Sequence, residues 1–153
     1  MNTFERILIA VDDSKYSYGA AKYGFDLAHK LKATIALVHI NQIPMVMNVT
    51  GDPILGDSGM ILPNLLDIQN DAAEKLVKDI IAQYGEGLEV NQFILTGDVR
   101  NEIIEVAKSF NASMIIMGTH GRKGFDHFIS GSVAEDVIKL AKCPVLIVPN
   151  KKD

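Results

Sequence analysis

Apolar residues in this chain form short unbroken runs, separated by longer stretches in which they recur every three or four positions. Ile7-Leu8-Ile9-Ala10-Val11 is the first run. It is too short for a helix and lacks polar alternation, so it predicts a strand buried on both faces within Phe4 to Val11. Asp12-Asp13-Ser14 ends it. Ala20, Gly24, Leu27, Ala28 and Leu31 then share one helical face, with Lys22, Asp26 and Lys30 off it. Thr34 to Ile40 predicts a second buried strand.

Regular spacing fails from Asn41 to Asn64, where Pro44, Pro53 and Pro63 recur with Gly51, Gly56 and Gly59 among them. A stretch of that length inside a compact domain is expected to be a functional or mobile loop. Helical spacing returns over Leu65 to Tyr84, with Leu65, Ile68, Ala72, Leu76 and Ile80 in line, and Gly85 and Gly87 stop it. Leu88 to Leu95 predicts a third strand, weakened by Asn91 and Gln92. Thr96-Gly97-Asp98 turns into a helix carrying Ile103, Ile104, Val106 and Ala107. Ser113 to Met117 predicts strand four, and a helix from about residue 131 to 142 follows a glycine-punctuated loop. Val145 to Val148, bracketed by Pro144 and Pro149, predicts strand five.

The order is strand and helix in strict alternation. With continuous apolar strands, it predicts a single α/β domain over residues 1–153: a doubly wound five-stranded parallel sheet with helices on both faces. Ligands of such sheets bind at the carboxyl ends of the strands, where strand order reverses. The two chemically richest strand ends are Asp12-Asp13 and the stretch from Gly118 onward. Making those strands neighbours gives the order 3-2-1-4-5, with the crevice between strands one and four.

Composition narrows the setting. The apolar share of 48% and charged share of 22% are those of a globular chain, and 153 residues bury enough surface to need no disulfide or metal. A net charge of −4 argues against nucleic acid or an anionic membrane as the main partner. Cys143 is the only cysteine, which excludes an intrachain disulfide and fits a reducing compartment. The start, Met1-Asn2-Thr3-Phe4-Glu5-Arg6, lacks the basic-then-apolar order of a signal peptide, and no apolar run approaches the roughly 18 residues of a membrane span. A cytoplasmic protein is expected.

The loop Gly118-Thr119-His120-Gly121-Arg122-Lys123-Gly124-Phe125-Asp126-His127-Phe128-Ile129-Ser130-Gly131-Ser132 carries the candidate chemistry. Between a strand and a helix start, it can gather backbone N–H groups and a positive helix end around one phosphate. Gly118 and Gly121 let a ligand approach the backbone, and Ser132 offers a hydroxyl. The competing reading is a set of turns and a helix cap. Arg122 and Lys123 either add charge over phosphates or are solvated. Neither the Walker P-loop nor Gly-x-Gly-x-x-Gly after strand one is present, which disfavours a standard P-loop NTPase or a dinucleotide dehydrogenase. Asp12 can accept from ribose hydroxyls or cap the first helix together with Asp13 and Ser14.

The end of strand two, His39-Ile40, can offer backbone groups and an apolar wall to a base, with His39 itself a hydrogen-bonded structural residue. His29 is placed on a helix surface. His120 and His127 lie in the glycine loop without an assignable general-base partner, and no histidine spacing resembles a metal site. Met45, Met47 and Met60 suggest a loop packed on the sheet edge, or a lid.

Gly118-x2-Gly121-x9-Gly131-Ser132 resembles the nucleotide-binding signature Gly-x2-Gly-x9-Gly-Ser/Thr of the universal stress protein family. The resemblance runs through nearly the whole chain: Ile7 to Asp12, Val38-His39-Ile40, Gly97-Asp98 and Cys143 to Val148 match its strands and turns. It implies the ATP-binding subgroup, with ATP as ligand, and magnesium is expected to accompany the ATP. Asp12 would meet the ribose and Ile40 the adenine through its backbone. Gly118, Gly121, Gly131, Ser132 and Val133 would line the ribose and phosphates, with Arg122 beside them. It also implies a homodimer joined through the last strand, Val145 to Val148. Asp13 departs from the family by adding negative charge at the phosphates, which speaks against tight ATP binding without a divalent cation; no metal ligand is assigned, and Asp13 could serve through a magnesium-nucleotide. No catalytic residue is assigned. The expected role is a stress-response regulator or sensor. One alternative is a slow ATPase or phosphotransferase using Asp13 and His120. A more remote one is a phospho-receiver domain, with Asp12, Asp13, Asp98, Thr119 and Lys151.

Overall fold

The computed structural model describes residues 3–43, 58–119 and 133–149, without side-chain detail for 58–63. Five strands, β1 (Arg6–Ala10), β2 (Thr34–Asn41), β3 (Val90–Thr96), β4 (Met114–Gly118) and β5 (Val145–Val148), alternate with four helices, α1 (Lys15–Leu31), α2 (Ser58–Tyr84), α3 (Val99–Ser109) and α4 (Val133–Leu140). The sheet is parallel throughout and runs β3-β2-β1-β4-β5, as the placement of the charged strand ends predicted.

Successive strand residues point to opposite faces, so each central strand feeds two cores. Ile7 and Ile9 of β1, Ile35 and Leu37 of β2 and Ile116 of β4 meet Ala21, Phe25 and Ala28 of α1 and Val77 and Ile80 of α2. Leu8, Ala36, Val38, Ile115 and Met117 face the other way, onto Ile103, Val106, Phe110 and Val137 from α3, its C-cap and α4. This two-sided burial is why the strands read as unbroken apolar runs. β3 lies at an edge, and Asn91 and Gln92, the residues that weakened its pattern, are exposed there.

Two expectations about α2 change. The buried stripe is Ala73, Val77 and Ile80, whereas Ala72 is exposed and Ile68 is 64% exposed. Apolar residues adjoin along this helix, as in Ala72-Ala73 and Leu76-Val77, so two stripes one position apart fit the spacing; packing onto β2 and β3 selects the second. The helix also extends back to Ser58, across Gly59 and Pro63, and Asn41 belongs to β2. The irregular stretch is thus shorter than 41–64, and its residues 44–57 lie outside those described. Met45 and Met47 fall within that span.

α3 starts on Asp98, whose carboxylate accepts the backbone N–H of Asn101 at 3.1 Å. Asp98 is therefore a helix cap, and Arg100 lies 3.4 Å from it. Replacing Asp98 with alanine is expected to cost about 1 kcal/mol in urea denaturation by freeing that N–H. No helix among the described residues is long and apolar enough to cross a membrane.

Candidate functional site

Register brings the candidate residues to one level. Ile9 pairs with Leu37 on one side and Ile116 on the other. Three residues further along each parallel strand stand Asp12, Ile40 and Thr119, and one position back stand Val11, His39 and Gly118. The carboxyl ends of β1, β2 and β4 thus form one edge, with the reversal of strand order between β1 and β4.

Asp12 is held by its own turn. Its Oδ1 accepts the backbone N–H of Ser14 at 2.9 Å, the Ser14 hydroxyl, and the Ser17 hydroxyl at 2.8 Å. The Asp12 N–H in turn donates to Ser17 Oγ at 2.6 Å. A short acidic side chain two residues before a serine N–H closes such a turn readily. The N-cap position of α1 belongs to Ser14, whose side chain makes no cap bond. Asp12 is therefore neither the cap nor simply solvated, and it sits half-buried at the crevice. Asp13 beside it is exposed.

His39 is 8% exposed, and its Nδ1 lies 3.1 Å from the Val11 carbonyl oxygen. Its Nε2 lies 3.1 Å from the Asn41 side chain, which continues to Asn70 of α2 at 2.7 Å. His39 is hydrogen-bonded on both ring nitrogens, as expected. Ile40 is buried and Gly118 half-buried at the same edge. Across from them the Thr119 N–H donates to the Val148 carbonyl at 3.1 Å, extending β4 beyond Gly118.

At the start of α4, Val133 is half-buried, and Asp136 accepts from Arg100 Nη1 at 2.8 Å. That ion pair ties the first turn of α4 to the first turn of α3. Gly121, Arg122, Gly131 and Ser132, with His120 and His127, lie outside the described residues. Among the described residues no group of three or more His, Cys, Asp or Glu can hold a metal ion.

Ser17, Asn41 and Asn70 escaped the sequence reading. Ser17 had a signal, because Asp-x-Ser with a second serine three positions on is a turn pattern. Asn70 had none, because its contact reaches from α2 across to β2.

A cavity of ≈ 340 Å³ lies at the opposite end of the sheet, lined by Ile104, Lys108, Leu140, Lys142 and Cys143 among others. It holds none of the residues at the crevice. Burial pushes the Cys143 thiol up from its usual 9.0. The fold thus favours the protonated thiol, so this contribution to stability is fully present below the unfolded-state pKa and is lost as pH rises through the folded one. Alkylation by iodoacetamide at about pH 8 is expected to run slower in native protein than in urea-unfolded protein.

A family model described as the universal stress protein family matches residues 3–149. A universal stress protein of Methanocaldococcus jannaschii is 35% identical over 152 residues, covering 99% of this chain and 85% of that protein. Among solved structures, a universal stress protein in complex with cAMP is similar with a TM-score of 0.66 at 17% identity, covering 97% of this chain and 98% of the other. A universal stress protein from Archaeoglobus fulgidus in complex with dAMP is similar with a TM-score of 0.59 at 22% identity, covering 95% and 98%. At those identities the two structures speak for the fold.

Proposed function

Because the chain belongs to the universal stress protein family, we propose that it binds an adenine nucleotide, ATP with magnesium, at the edge between β1 and β4. In this reading it acts as a stress-response regulator or sensor. The observation that carries the reading is Asp12. Three hydrogen bonds converge on its Oδ1, and among the described residues Oδ2 receives none of them. A carboxylate fixed through one oxygen can accept further hydrogen bonds on its other, which suits the hydroxyls of a ribose. The backbone of Ile40, level with Asp12 in the register, would meet the adenine. Gly118, Gly121, Gly131, Ser132 and Val133 would receive the ribose and phosphates, with Arg122 adding charge. Family members in complex with cAMP and dAMP support the adenine nucleotide class.

The proposed role is holding the nucleotide, and no described side chain is assigned to activating water. Regulation then requires that the nucleotide bind one arrangement of the protein more tightly than another. A homodimer is part of the reading. β5 ends the sheet with Leu146 39% exposed, and an apolar edge strand is the kind that pairs with a copy of itself. Native mass spectrometry of freshly purified protein tests both points. A co-purified adenine nucleotide in a dimer is expected, and a bare monomer at micromolar concentration would overturn both.

A further inference from the structure

One peptide at the crevice is gripped from two sides. β1 ends at Ala10, and the Val11 N–H makes its last sheet-like bond, to the Val38 carbonyl at 2.9 Å. The next peptide unit, from the Val11 carbonyl to the Asp12 N–H, is held by side chains. Its oxygen lies 3.1 Å from His39 Nδ1 of β2, and its N–H donates to Ser17 Oγ of α1 at 2.6 Å. His39 and Ser17 are 8% and 5% exposed. Two buried side chains from different elements thus set the plane that aims Asp12.

Resting on the adenine-nucleotide reading, we infer that His39 is a positioning residue of the crevice, aiming Asp12 through the Val11 carbonyl and itself braced by Asn41 and Asn70. A carbonyl oxygen only accepts, so Nδ1 must carry a hydrogen. The far nitrogen, Nε2, is then set by Asn41. Asn41 Oδ1 faces Nε2, and the Asn41 amide nitrogen donates to Asn70 Oδ1, which serves a ring with hydrogen on both nitrogens. For a ring with hydrogen on Nδ1 alone both Asn amides turn over, Nε2 accepts from Asn41, and the same heavy-atom positions serve. Either way each contact along the row Val11–His39–Asn41–Asn70 sets a donor against an acceptor, and the buried members, His39 and Asn41, are held at both ends. Asn41 is also fixed through its backbone, whose carbonyl accepts the Gly97 N–H at 3.0 Å. The row therefore links the nucleotide edge to α2 and to the end of β3.

The test compares wild type, His39→Leu, His39→Asn and Asn70→Ala. AMP affinity is measured by calorimetry below each variant's thermal midpoint, and exchange of the Asp12 amide is measured by NMR. His39→Leu removes the donor to Val11 and is expected to weaken AMP binding about 10-fold, the scale of one hydrogen bond acting on a charged group. It should also speed exchange at Asp12 while leaving Ala10 in the ladder protected. His39→Asn can place an amide nitrogen near the Nδ1 position and should recover most of both effects. Asn70→Ala should fall between. A merely structural histidine would lower the thermal midpoint of His39→Leu and leave AMP affinity and the Asp12-to-Ala10 exchange ratio at wild-type values; that result overturns the inference. If wild type binds no AMP or ATP, the nucleotide reading fails by itself. The Asp12 exchange ratio in His39→Leu then decides the positioning role, which stands if the ratio rises and falls if it does not.

Discussion

Replacing Gly24 with alanine should lower stability by about 1–3 kcal/mol in urea denaturation, the usual range for an overpacked core. Helix propensity alone points the other way, since alanine in a helix interior is favoured over glycine by about 1 kcal/mol. Packing decides the sign. A Cβ at Gly24 would stand 2.3 Å from Ile9 Cδ1 and 2.8 Å from Ile9 Cγ1. Ile9 is fully buried in β1, beneath α1. Its Cδ1 can move only into neighbours that are themselves close-packed. The absent side chain at Gly24 thus lets α1 lie close against β1 and β4 just below the crevice. Ile9→Val removes the atom nearest the clash, so in that background the penalty of Gly24→Ala should shrink by about 0.5 kcal/mol or more, a coupling typical of touching residues. A Gly24→Ala variant more stable than wild type would contradict this packing.

Asp12→Ala should weaken adenine-nucleotide binding by about 1.5–3 kcal/mol, roughly 10-fold to 150-fold, the scale of hydrogen bonds to a charged group. The substitution removes the proposed ribose acceptor. It also frees Ser14 and Ser17, which now converge on Oδ1. Ser17→Ala separates the two effects. It leaves the carboxylate in place but removes one donor to it and the acceptor of the Asp12 N–H. Its loss of affinity should be real but smaller. Competitive displacement of a fluorescent adenine nucleotide, run on both variants, checks the order. Equal affinity in Asp12→Ala and wild type would move the ribose elsewhere.

The parts legible in the sequence were those with a local or periodic signature. β5 was placed at its observed bounds, because Pro144 and Pro149 bracket its four apolar residues. The strand order followed from asking which strand ends carry polar chemistry, and the Asp12 and Gly118 ends do lie on neighbouring strands. The face of α2 was right at Leu76 and Ile80 and wrong at Ile68 and Ala72, since adjoining apolar residues leave the helical phase open until the sheet chooses. The row from Val11 through His39 to Asn70 was invisible for a different reason. Its Asn41–Asn70 link joins residues 29 apart, and single side-chain contacts over such separations leave no pattern in composition or spacing. His39 was read as hydrogen-bonded, but its partners had to come from the fold. Asp98 shows the converse: paired in sequence with Asp12 it suggested a receiver site, while the structure engages it as a helix cap.

The central claim is that the edge carrying Asp12, Ile40 and Gly118 holds an adenine nucleotide. Calorimetric titration of the full chain with ATP, at millimolar ligand and with magnesium present, tests it most directly. Saturable heat with one nucleotide per chain, accompanied by a rise in the thermal midpoint through binding to the native state alone, is the predicted result. No heat and no thermal shift under those conditions would contradict it.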